Sequence, residues 1–161
     1  MNGATLAPSL LFAALGLVLS FASSHRVIAW SLGAAVVAAG VAVVSAINGA
    51  KIDALLVGCW ISIIVTVFGV YLPRPPVLTI TIPLSINVGV WAGLTVAASA
   101  TRFAIVPALG WTLLCLPGAW LVGRGRGIAI RVAGSWLAAA AVLSLGLGMV
   151  PTLGYEPDHR E

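Results

Sequence analysis

The chain has 161 residues, which sets a prior of one domain. Apolar residues make up 61% and charged ones 7%, with a mean hydropathy of +1.14. A soluble domain carries about 25% charged residues. A coat this thin excludes a soluble enzyme, a disordered chain and a nucleic-acid binder, and it points to an all-α integral membrane protein.

The net charge of +4 does not form a basic face, because Arg and Lys are scattered singly between apolar runs. Cutting the chain at its charges and Pro/Gly clusters leaves six such runs. The first, Leu6–Phe21, stops at Ser23–Arg26, and the second, Val27–Ile47, at Asn48–Lys51. The third, Ala54–Leu72, is closed by Pro73, Pro75 and Pro76, which remove amide donors and restrict the residues before them. The fourth is Val77–Ala100, the fifth Phe103–Val122 and the sixth Ile128–Val150. A spanning helix needs about 20 apolar residues. The expected fold is therefore one bundle of about six spans over residues 1–152, joined by short loops, with a polar tail at 153–161. The first run can also be read as a secretory signal. It lacks the positive segment such a signal needs, so it is taken as a retained span.

Loop charges set the expected orientation. With six spans, Arg26, Arg74, Arg124, Arg126 and Arg131 share one side, and Lys51, Arg102 and Arg160 the other. That puts the first side in the cytoplasm and both termini outside. The preference for Arg over Lys suits a high-GC bacterial genome, so a bacterial inner membrane is the expected location. An offset of 76 residues aligns Arg26 with Arg102, Ser23 with Ser99, Gly58-Cys59-Trp60 with Gly134-Ser135-Trp136, and Pro75 with Pro151. These matches suggest two halves, 1–76 and 77–152, of three spans each. Odd halves must point in opposite directions, as in an inverted repeat. Chance matches in so Ala/Gly/Leu/Val-rich a chain are the competing explanation.

Chemistry inside a membrane usually shows as a buried ionisable residue. No run has an acid, lysine or histidine in its middle; the acids Asp53, Glu156, Asp158 and Glu161 and the histidines His25 and His159 lie at boundaries. A proton relay, a haem or metal site and autonomous catalysis are not expected, and no cofactor is implied. Cys59 and Cys115 read as small apolar residues rather than a disulfide.

Three themes remain. Thr79, Thr81, Ser85 and Asn87 bracket Pro83; Thr79, Pro83 and Asn87 are four apart, hence on one helical face, and Pro83 frees the carbonyl of Thr79. With Pro107 and Pro117 in the fifth run they are candidates for a pore or small polar site, against the plainer reading of packed kinks. Gly89, Gly93 and Ala97 form a small-residue strip that allows close helix packing, as do Ala38, Ala42 and Ala46, and Ala133 and Ala141 around Leu137. Arg131, with Arg124 and Arg126, is a candidate contact for anionic lipid or a topology-setting flank. Trp30, Trp120, Tyr71 and Tyr155 fall near span ends, whereas Trp60, Trp91, Trp111 and Trp136 lie deeper. Two functions follow as expectations. One is a non-catalytic accessory or scaffold subunit, packed among lipid and other membrane subunits. The other is a small uncoupled transporter or channel for a small solute or lipid, alone or as a homodimer.

Overall fold

The structure, a computed structural model, describes residues 3–22, 24–45, 52–72, 77–98 and 105–149. Among the described residues the expected runs become helix, and no strand occurs. The helices are α1 (Gly3–Leu19), α2 (His25–Ser45), α3 (Ile52–Phe68), α4 (Leu78–Ala98), α5 (Ile105–Gly110), α6 (Cys115–Gly123) and α7 (Gly127–Met149). A 3-10 turn, Gly69–Tyr71, extends α3, and a 3-10 stretch, Trp111–Leu114, joins α5 to α6. Four helical segments are long and apolar enough to cross a membrane: His25–Val43, Ala54–Tyr71, Leu78–Ala98 and Gly127–Leu147. Leu6–Leu19 and Pro107–Gly123 are shorter apolar helices.

Helix α1 is the centre of the bundle. Leu11, Phe12, Ala14, Leu15, Val18 and Leu19 are all buried, so it is enclosed on every side. It packs against α3, α4, α5, the 3-10 stretch, α6 and α7. Helix α2 lies apart from it, on the outer side of α4. Helix α7 leans on α3 and α6 and leaves most of its surface exposed.

The irregular fifth rod has a local cause. Pro117 has no amide hydrogen, so the carbonyl of Leu113, four residues earlier, receives no helical bond from it. One turn back, the Thr112 hydroxyl donates to the Leu109 carbonyl at 2.6 Å. Tightening into a 3-10 turn suits such a segment, since it replaces i−4 bonding with i−3. Helix α6 then stops in a Schellman cap. The Arg126 amide donates to Leu121 and the Gly125 amide to Val122, with Gly125 at φ +74°. That left-handed value is where glycine avoids the Cβ penalty. A three-residue turn can thus reverse the chain into α7.

Several sequence landmarks lie outside the described residues: Ser23, Ala46, Lys51, Arg74, Pro75, Ser99, Arg102, Pro151, Tyr155 and the tail at 153–161. The halves 1–76 and 77–152 thus keep only part of the landmarks that suggested them.

Candidate functional site

One end of the bundle is electropositive. The C-terminal ends of α1, α3 and α6 and the first turn of α7 gather there around Leu17, Val18, Val70 and Ile130. A cap bond ties them, as the Tyr71 hydroxyl donates to the Arg131 carbonyl at 2.8 Å. Arg124, Arg126 and Arg131 are all exposed at this end, with the Arg124 guanidinium 3.8 Å from the centre of the Trp120 ring. His25 and Arg26, also exposed, begin α2 just beyond the end of α1.

The tightest helix contact is between α2 and α4. A Cβ at Gly89 would meet the Ala35 carbonyl and stand 2.9 Å from Ala38 Cβ. One turn on, a Cβ at Gly93 would stand 2.7 Å from Ala42 Cβ. Glycine is required at both places, so the Gly89/Gly93 strip is a packing interface. Ala97, next on the strip, is half-buried. On α7 only Ala141 of the expected strip is buried, while Ala133 is exposed and Leu137 is half-buried.

Close backbones leave the larger flanking side chains standing on either side of the seam. The result is an open apolar groove of about 810 Å³. Ala38 and Ala42 form its floor, Trp30, Val37 and Val41 one wall, and Ile82, Ile86, Val90 and Leu94 the other. A shallower hollow of about 300 Å³ lies over Pro107, Trp111 and Leu114.

The residues expected to line a pore are not brought together. Thr79, Pro83, Pro107 and Pro117 are exposed on the outside of the bundle. Asn87 alone turns inward, half-buried, where its side-chain amide donates to the Ser62 hydroxyl of α3. Two more of the polar residues that bracket Pro83 in the sequence, not singled out as site residues there, also face inward. Thr81 and Ser85, one turn apart on α4, are fully buried, as is Ser31 on α2, and their hydroxyls have no hydrogen-bond partner. Thr66 is buried nearby on α3 and donates to the Ser62 carbonyl at 2.7 Å. Nothing in a chain without polar–apolar contrast distinguishes Thr79 from Thr81, because either register leaves an apolar helix.

The deep tryptophans divide. Trp60 and Trp91 are half-buried against the core cluster, while Trp111 and Trp136 are exposed, Trp136 at 76%. Cys59 and Cys115 are both buried and free. Among the described residues there is no group of His, Cys, Asp and Glu able to hold a metal ion. No family model matches the chain, and no curated protein or solved structure matches it.

Proposed function

We propose that the chain is a six-span bundle of the bacterial inner membrane, positive end in the cytoplasm and termini outside, acting as a non-catalytic accessory or scaffold subunit of a larger membrane assembly. Trp136 carries this reading. It is the tenth residue of α7, so its Cα lies about 14 Å along that helix, close to the middle of a hydrocarbon core about 30 Å thick. Tryptophan prefers the membrane–water interface, and its indole N–H needs an acceptor that hydrocarbon does not offer. A Trp exposed at mid-depth fits a protein partner better than lipid. Ile128, Val132, Leu143 and Leu147 continue the exposed face along α7, which suits a spanning helix of another subunit. Extraction from native membranes in a mild detergent is expected to yield one discrete complex of stoichiometric composition. Trp136→Ala should release the chain from it with an unchanged unfolding temperature. A parent chain that migrates alone, or a complex that survives Trp136→Ala, would sink the reading.

The halves support an inverted repeat. Helices α1 and α4 each carry an internal proline, Pro8 and Pro83, 75 positions apart. Each half's second rod packs on the other half's first helix: α2 on α4, and the fifth rod on α1. The contact residues of the second rods correspond as well, while Gly16 itself maps to Ala92, beside Gly93. Gly16 of α1 faces Trp111, Thr112 and Cys115, which minus 76 are positions 35, 36 and 39, and Ala35 and Ala39 face Gly89 and Gly93. The third helices depart from this symmetry, since Cys59 is buried and Ser135 exposed. If no two-fold axis in the membrane plane superposes the halves in a bilayer structure, the repeat fails.

A second reading, a small uncoupled transporter or channel, is favoured by the unpartnered buried hydroxyls of Ser31, Thr81 and Ser85 and by the Asn87–Ser62 pair. These groups are the kind that hydrate a small neutral solute. In liposomes, Asn87→Leu should cut solute flux several-fold; absence of any flux in the parent protein counts against this reading.

A further inference from the structure

Beyond the scaffold role, though resting on the membrane-embedded reading of the bundle, we infer that the α2–α4 groove is a binding site for one anionic phospholipid. Its hydrocarbon tail lies in the groove and its headgroup phosphate is held by Arg26 and the Thr79 hydroxyl. The observations are independent of the face around Trp136. Ala35 meets Gly89 and Ala39 meets Gly93, so α2 and α4 run in the same direction and begin at the same end. Arg26 is four residues before Trp30, and Thr79 is three before Ile82, so both extend the groove's two walls toward that end. Both are exposed there.

Dimensions favour a lipid tail over a spanning helix. The lining runs from Trp30 to Ala42 and from Ile82 to Leu94, thirteen residues on each helix, or about 18 Å between first and last. One leaflet of a core about 30 Å thick is about 15 Å deep, so the groove suits a chain anchored at one surface. A transmembrane helix would require a seat over the full depth. At about 810 Å³ the groove falls within the range of about 300–1,000 Å³ usual for small-ligand sites. Charge selects the headgroup. Arg26, Arg124, Arg126 and Arg131 lie at this end. An exposed guanidinium beside a hydroxyl pairs well with a phosphate diester, whose oxygens accept from both. Trp30, 68% exposed at the mouth, stands where an indole favours the headgroup boundary.

Gly33 gives a clean test. It lines the groove, and a Cβ there would meet nothing within 4 Å, so a larger side chain fills the groove without disturbing the α2–α4 seam. The full chain is reconstituted in phosphatidylcholine nanodiscs containing a photoactivatable phosphatidylglycerol, or the same probe with a phosphatidylcholine headgroup. Retention in nanodiscs and resistance to alkaline extraction from vesicles report embedding separately from labelling. The phosphatidylglycerol probe should label α2 and α4 around Val37 and Ile86 at least fivefold more than the phosphatidylcholine probe. Gly33→Phe should remove that labelling with either probe. Arg26→Gln should erase the preference between headgroups while tail labelling persists. Equal labelling of the parent by both probes, labelling that survives Gly33→Phe, or crosslinks from the groove to a second protein chain would overturn the inference.

Discussion

Replacing Gly93 by leucine is expected to destabilise the bundle by about 3 kcal/mol or more, whereas the same replacement at Gly40 leaves it as stable or slightly more so. Both glycines lie inside helices, so helix propensity alone would make the two changes equally favourable. Surroundings reverse the sign at Gly93. A Cβ there would press on the Ala39 backbone and the Ala42 side chain, neither of which can swing away. At Gly40 a Cβ would meet nothing within 4 Å. Apolar helices gain little from leaving lipid for one another, so association depends on how closely their backbones fit, and leucine at Gly93 removes that fit. Gly16→Leu belongs with Gly93, because a Cβ at Gly16 stands 3.1 Å from the Thr112 carbonyl oxygen. The chain carries its own reporter of the outcome. Cys59 and Cys115 are free and buried, so a thiol-reactive dye responds only when the bundle opens. In detergent, the midpoint of dye reaction should fall by roughly 6–12 °C in Gly93→Leu and stay or rise in Gly40→Leu. Equal midpoints for the two variants would mean that the α2–α4 seam does not hold the fold.

This contrast shows where the sequence is readable. Helix positions were legible, because charges and proline clusters interrupt apolar runs, and the run ends that lie among the described residues fall close to helix ends. The Gly89/Gly93 seam was legible too, since a four-residue spacing of glycines has one common use between apolar helices. Orientation of the remaining faces was not. Every helix is apolar all round, so nothing marks α1 as the enclosed one or places Thr81 rather than Thr79 inside. With 7% charged residues, polar contrast is too sparse to mark an outside. Gly58 carried no signal beyond its match with Gly134, because a lone glycine does not reveal what lies against it. The groove was hidden for a related reason. Small residues were read as a packing strip, while the bulky residues flanking them, which make its walls, look like ordinary core.

Gly58 supplies the second large effect, and it should appear as a coupling rather than a simple loss. A Cβ on Gly58 would overlap the six-membered ring of Trp91, which reaches from α4 onto α3. Gly58→Ala must therefore push the ring out of its place against the core cluster, at a cost of about 1–3 kcal/mol typical of overpacking. Trp91→Leu leaves a void over Gly58, and large-to-small changes at such sites cost about 2–5 kcal/mol. Together the two changes compensate, since the alanine methyl occupies part of the vacated volume. The double variant is expected to be about 1–2 kcal/mol more stable than the sum of the single effects. Dye reaction at Cys59, the residue after Gly58, follows the same site directly. Strict additivity of the two losses would show that the ring and the glycine do not touch, and would place Trp91 elsewhere on the α3–α4 contact.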